Sequence, residues 1–257
     1  MRADLNPKRF PGRAGEPGAR KAVRMQPMPE DWNRAVAVVA HPDDLEYGVA
    51  SAVARWTGQG KEVTYVLATR GEAGIAGLPP DKTGPLRVEE ERRSAAIVGV
   101  REVEFLGHQD GIVEYGVPLR RDLAAAFRRL NPDVIITMSF DLTWGENGPV
   151  NHSDHRAVGL AVLDACRDAA NEWVFPDAGP PWAGIRDAYV ASGDPTHFVD
   201  VTASIDAGIA SLREHRAYLE GLGGDFDPAE FLRNMAGFTG LGAGCEYAVG
   251  FRRYPMG

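Results

Sequence analysis

Short apolar runs of strand length alternate with stretches at helical spacing from residue 35 to residue 170, and few folds accept that order. AVAVVA (35–40) and EVTYVLAT (62–69) read as buried strands, and VASAVARWTGQG (49–60) between them has helical periodicity and closes on Gly58 and Gly60. The alternation continues with a helix over 86–98, a strand VEFLG (103–107), a helix over 118–130, a strand DVIITM (133–138) and a helix over 155–170. Parallel strands need a crossover between them, usually a helix, so the pattern predicts the α/β class: one domain whose mainly parallel sheet is flanked by helices. DAYVAS (187–192) and HFVDV (197–201) read as later strands, followed by a helix over 204–219. The glycine-rich segment from 221 reads as loops, a short helix and a terminal element.

The first 33 residues break this pattern. They are rich in Pro and Gly and read as an irregular arm (1–33) ahead of a domain over 34–257. Neighbouring subunits could pin such an arm, which makes a homo-oligomer a reasonable expectation. The arm is basic but has no apolar stretch of signal-peptide length, and nowhere do about 18 apolar residues run together, so a cytoplasmic protein without a membrane role is expected. A net charge of −8 and a pI near 5.3 argue against nucleic-acid binding, which needs concentrated Lys and Arg, and favour a small-molecule partner. Cys166 and Cys245 lack CxxC spacing and read as packing residues.

Charge gathers at two strand ends, in VAHPDDLEYG (39–48) and in NHSDH (151–155). In an open parallel sheet, ligands bind outside the carboxyl ends of the strands, where strand order reverses. Zinc takes imidazole nitrogen and carboxylate oxygen, and catalytic sites use three protein ligands with one position left open. His41, Asp44 and His155 can supply that set. Asp43 and His152 are then left beside the metal, where a base for water and a stabiliser of developing charge are needed. The competing interpretation is structural, since PDD is also a common turn and helix-cap sequence.

AHPDDLEYG, TRGEAGIAG (69–77), FLGHQDG (105–111), NHSDHRAVG (151–159) and GCEYAVGFR (244–252) occur in an order that resembles the LmbE-like, or PIG-L-type, zinc-dependent N-deacetylases. The similarity spans about 35–253. It implies a single Rossmann-like domain that removes an acetyl or other acyl group from the amide of an N-acetylglucosaminyl-type small molecule. The family pattern implies that His41, Asp44 and His155 hold Zn²⁺, with Fe²⁺ or another divalent ion as the alternative. Metal-bound water would attack the amide with Asp43 as general base, and a protonated His152, oriented by Asp154, would stabilise the oxyanion. Ser153 stands where many members carry Pro, which is expected to alter loop stiffness rather than chemistry.

Arg70 could hold a substrate hydroxyl or carbonyl, or pair with Glu72 or Glu46. Asp110 could meet sugar hydroxyls or form a turn, and Trp144 could stack on a sugar face or anchor a loop. Glu46 is expected to support a metal-bound His, and His108, His197 and His215 to be packing or capping residues. The charged run RVEEERRSAA (87–96) reads as a solvated helix face. Two other functions remain in view. An amidase acting on a thiol-cofactor conjugate and a non-catalytic metal-binding protein share the same motifs. A nucleotide-binding module does not fit, because the first strand leads into carboxylates where a glycine-rich phosphate loop would stand.

Overall fold

The β-branched runs pair side by side at the centre of one sheet. In the computed structural model, which describes residues 25–223 and 226–257, β2 (Arg34–Val39) lies parallel between β3 (Glu62–Leu67) and β5 (Val134–Met138). Alternate residues of β2 serve opposite faces, as the pleat requires. Ala35, Ala37 and Val39 pack under α2 (Ala50–Gly58), whereas Val36, Val38 and Ala40 pack under α4 (Val117–Leu130) and α5 (Ser153–Ala170). Burial on both faces explains why this strand is apolar throughout.

Beyond β3 lies β4 (Glu102–Phe105), and beyond β5 lies β6 (Asp187–Ala191), both in parallel register. The chain therefore leaves β2 in one direction, reaches β4, and returns to β5 on the other side of β2. That reversal lies between β2 and β5, so the loops after these two strands diverge around a crevice. The expected single α/β domain with a mainly parallel sheet is the observed one.

The far half of the sheet is the less regular half. The last strand, β8 (Ala248–Pro255), inserts antiparallel between β6 and β7 (His197–Asp200), and β1 (Gln26–Pro27) adds to the edge parallel to β7. Gln26 and Pro27, placed in the arm by the sequence, thus join the sheet, and Met28 and Trp32 enter the core. Residues 1–24 lie outside the described residues.

Three helix expectations differ from the structure. α3 (Pro80–Ile97) starts nearly two turns before the predicted 86, because Pro80 sits in its first turn, where the missing N–H costs nothing, even though Gly84 and Pro85 follow. The predicted 204–219 helix is two, α6 (Ile205–Leu212) and α7 (Arg216–Leu222), broken around His215. α8 (Pro228–Ala243) is 16 residues long, not short. Its Gly240 is required by packing, since a Cβ there would lie 2.6 Å from the carbonyls of Cys245 and Glu246. No helix among the described residues is long and apolar enough to cross a membrane.

Candidate metal and catalytic site

Both charged motifs meet at the crevice, each held by its own local backbone. After β2, the Asp44 side chain folds back so that Oδ2 accepts the amide N–H groups of Ala40 (3.1 Å) and His41 (2.9 Å). This closes the turn into α1 (Asp44–Gly48) and leaves Oδ1 facing His155 Nε2 at 3.0 Å. The turn sequence is therefore both a structural turn and a source of site atoms. After β5, Asn151 donates through Nδ2 to the carbonyls of Ser139 (2.9 Å) and Asp141 (3.0 Å), which turns its Oδ1 toward His155 Nδ1 at 2.9 Å. His152 caps α5, its Nδ1 accepting the Asp154 N–H at 3.2 Å.

These contacts fix the tautomers. His155 donates its Nδ1 proton to Asn151, so neutral His155 presents a lone pair at Nε2. His41 Nε2 lies 3.2 Å from both Asp110 Oδ1 and Asp154 Oδ2, so it carries the proton and Nδ1 presents the lone pair. Yet His41 Nδ1 and His155 Nε2 face each other at 3.2 Å, with Asp44 Oδ1 3.0 Å from the latter. Three lone pairs converge in a site where His41 and Asp44 are buried and His155 is nearly so. A proton could satisfy one of the contacts; a cation at their centre satisfies all three. The spacing suits it, since ligands about 2.0–2.1 Å from a tetrahedral zinc lie about 3.3 Å apart.

Charge around the cluster agrees. Burial disfavours charge on the His41 ring, but Asp110, Asp154 and Asp44 outweigh it and raise its pKa well above the usual value. Burial would likewise raise the Asp44 carboxyl, but His155 and His41 hold it well below the carboxylate range. A second grouping, His41, His152 and Asp154, also brings donor atoms within 4.8 Å. Its atoms are already engaged: Asp154 accepts the amides of Gly111 (2.7 Å) and Val113 (3.2 Å) besides facing His41, and His152 Nδ1 accepts the Asp154 amide.

Two expected roles shift. The Asp154 carboxylate lies against His41, whereas its Oδ1 is 3.8 Å from His152 Nδ1, so it orients the former ring rather than the latter. His152 is half-buried and stands edge-on to His41, with ring centroids 5.0 Å apart. Desolvation and neighbouring His41 lower its pKa, which disfavours the protonated form expected from the sequence.

The outer residues divide. Asp110 does not form an isolated turn: its Oδ2 accepts the Ala73 amide at 2.7 Å while Oδ1 faces His41. The exposed Arg70, at the carboxyl end of β3, has no ion pair among the described residues; only its backbone N–H meets Glu72 (3.2 Å). Trp144 stands edge-on to His155, with centroids 5.7 Å apart. His108 pairs with Asp122 (3.0 Å), His197 meets the Thr196 hydroxyl (2.9 Å), and both cysteines are free.

The reading of residues 87–96 as a solvated face is wrong where it matters most. Arg87, Glu90, Glu91 and Ser94 are all buried. Arg87 Nη2 pairs with Asp43 Oδ2 at 3.0 Å and also bonds the Pro42 carbonyl, and Nη1 donates to the Gly71 carbonyl at 3.3 Å. Glu91 Oε2 accepts the Asp43 N–H at 3.2 Å. Burial raises the Asp43 carboxyl, with Arg87 opposing and Asp44 reinforcing the shift. Glu46 does not support a site histidine either: it accepts from Ser94 (2.8 Å) and faces His215 (3.6 Å), which is itself 3.7 Å from Glu91. The signal was available as spacing, because positions 87, 90, 91 and 94 share one helical face; the density of charge masked it.

A family model described as PIG-L, GlcNAc-PI de-N-acetylase, matches residues 36–166, just over half of the chain, and contains both site motifs. The chain belongs to the PIG-L family. Among PIG-L relatives, the diacetylchitobiose deacetylase of Thermococcus kodakarensis is 25% identical over 88% of this chain and 84% of its own length. The 1D-myo-inositol 2-acetamido-2-deoxy-alpha-D-glucopyranoside deacetylase of Acidothermus cellulolyticus is 29% identical over 86% of this chain and 90% of its own. Among solved structures, N,N'-diacetylchitobiose deacetylase from Pyrococcus horikoshii superposes with a TM-score of 0.79 at 25% identity, covering 88% of this chain and 85% of that one. The expected enzyme class, an N-deacetylase, agrees with the PIG-L family and with these relatives.

Proposed function

We propose that this PIG-L enzyme is a metal-dependent amidohydrolase that removes an acetyl or other acyl group from the amide of an N-acetylglucosaminyl-type small molecule. The observation that carries this is the convergence of His41 Nδ1, His155 Nε2 and Asp44 Oδ1, three atoms able to ligate one ion, with Nε2 of His155 3.2 Å from the first and 3.0 Å from the last. Two imidazoles and one carboxylate suit Zn²⁺ with an open position, and Fe²⁺ is the alternative ion. When bound there, the ion polarises the acyl carbonyl and lowers the pKa of water to about 7.

The chain's own groups supply the rest. Asp43 takes the proton of the attacking water and returns it to the leaving amine nitrogen as the C–N bond breaks. His152 needs no second proton: with Nδ1 accepting from Asp154, its neutral ring carries the hydrogen on Nε2 and can donate it to the developing oxyanion, a contact worth about 3–4 kcal/mol. Asp110 and Asp154 hold His41, and Asn151 holds His155, so the ligand nitrogens face inward before substrate arrives. Exposed Arg70, after β3, is assigned to substrate hydroxyls, and Trp144, edge-on to His155, to the face of the sugar ring.

The test is release of acetate from N,N'-diacetylchitobiose and from 2-acetamido-2-deoxyglucosyl-inositol by the protein as purified, after chelation, and after refilling with Zn²⁺ or Fe²⁺. Activity that is lost on chelation and restored by metal is expected. Tight binding of one metal per chain with no turnover of any N-acylated amino sugar would rule the reading out in favour of a non-catalytic metal protein.

A further inference from the structure

We propose that Arg87 and Glu91 of α3 are positioning residues that hold Asp43, and that this pair sets the geometry of the base. The proposal rests on the reading of Asp43 as that base. Asp43 has φ of 93°, a left-handed conformation that is strained for a residue with a Cβ. Such strain persists only where surroundings over-determine it. Here α3 grips three successive features of the chain. Arg87 bonds the Pro42 carbonyl before Asp43, Glu91 accepts the Asp43 amide, and Arg87 pairs with the Asp43 carboxylate. The two gripping residues are one helical turn apart, so a single rigid element sets all three contacts.

The slot around the guanidinium is built to admit nothing else. A Cβ on Gly71 or Gly74 would collide with Nη1, and the Tyr218 ring lies 4.4 Å from the guanidinium carbon. Arg87 is 2% exposed and Glu91 1%. Behind Glu91, His215 and Glu46 complete a wholly buried cluster, and the Ala217 amide donates to Glu90 at 2.7 Å, tying α7 to α3. Buried polar groups of this kind stabilise a fold less than apolar packing does, so their placement is better explained by what they orient. Asp43 and Asp44 are adjacent yet serve different purposes. Backbone amides of the turn hold Asp44, and α3 holds Asp43, its Oδ2 engaged by Arg87.

The test compares Arg87→Met, Arg87→Lys, Glu91→Met and Glu91→Gln with Asp43→Asn, measuring kcat and KM for acetate release and metal affinity by titration. Arg87→Met should lower kcat about 100-fold, the effect of a displacement near 1 Å, with KM and metal affinity within about threefold. Arg87→Lys, which keeps the charge but cannot reach all three acceptors, should fall between, and it serves if the Met variant does not fold. Glu91→Met should lose about tenfold, one hydrogen bond's worth, while Glu91→Gln, whose amide oxygen still accepts the Asp43 N–H, should restore most of it. Folded variants with normal kcat, a parallel loss of metal affinity, or equal losses in Glu91→Gln and Glu91→Met would overturn the proposal. Asp43→Asn separates the two failures: an active Asp43→Asn removes the base and with it the clamp, whereas an inactive one beside an active Arg87→Met removes the clamp alone.

Discussion

Two clusters of histidine and carboxylate flank Asp43, made of the same residue types and differing in every physical respect. In the outer one, His41, Asp44 and His155, each ring has an outside partner that fixes its proton, and the ligand atoms turn toward one another at 3.0–3.2 Å. In the inner one, Glu46, Glu91 and His215, neither nitrogen of His215 has a hydrogen-bond partner, the imidazole-to-carboxylate distances are 3.6–3.7 Å, and nothing reaches solvent. Residue type alone therefore does not make a metal site. Outer partners that aim the lone pairs do, together with a path for substrate.

The sharpest break in this comparison comes from removing one atom set from each cluster. His155→Ala should weaken metal binding by at least about 10³-fold, since it leaves two ligands and exceeds the 10–100-fold typical of outer partners. Titration of apoprotein with Zn²⁺, followed by equilibrium dialysis, would measure it. Because surrounding carboxylates raise the His41 pKa, a proton competes with the ion above the usual histidine range, so affinity should climb with pH and binding should release protons. An affinity that stays flat with pH would contradict the His41 assignment.

His215→Leu should do the opposite. Metal affinity and stoichiometry stay unchanged, and the cost falls on stability, about 1–3 kcal/mol, because the buried carboxyl groups of Glu46 and Glu91 lose a polar neighbour. Urea denaturation would read this directly. If His215→Leu releases metal instead, the inner cluster belongs to the metal centre and the distinction drawn above fails.

How the sequence showed one cluster and hid the other follows from the same physics. His41 to Asp44 and His152 to His155 stand directly after apolar strands, so local sequence placed them at strand ends, and alternation of elements placed those ends together. Glu46, Glu91 and His215 come from α1, α3 and the break before α7, three elements that touch only through tertiary packing. Arg87 and Glu91 sat in a run whose charge resembled solvated helix, and only the glycines at 71 and 74, spaced to admit a guanidinium, betray the buried face. The antiparallel β8 was equally hidden, because glycines ahead of it masked α8 and a terminal strand carries no mark of where in the sheet it inserts. The orientation of Asp154 was missed for a simpler reason: the residue is next to both His152 and His155 in sequence, yet its side chain crosses to His41 and to the 111–113 backbone.

That crossing gives a smaller prediction. Asp154→Asn keeps an acceptor for the Gly111 amide but presents a neutral group to His41, so metal affinity should fall about 10–100-fold with the fold intact. Asp110→Asn, which removes the other carboxylate at the same nitrogen, should fall in the same range, and the double variant should lose more than either, since each carboxylate backs the other. Either single change with wild-type affinity would mean that one carboxylate suffices to orient the ring.

The smallest effect belongs to the side on which the outer cluster is open. Trp144 meets His155 edge-on at 5.7 Å and is only partly buried, so it can border substrate, steady the ring, or both. An aromatic contact with a sugar contributes about 0.5–1.5 kcal/mol, so Trp144→Ala should raise KM about 2–10-fold with kcat and metal affinity nearly constant. If the residue serves only to steady His155, metal affinity falls and KM does not. Steady-state kinetics paired with metal titration on this one variant therefore decides whether the open face of the cluster is shaped for the ion or for the sugar, and the inner cluster, with no open face, offers no equivalent position to change.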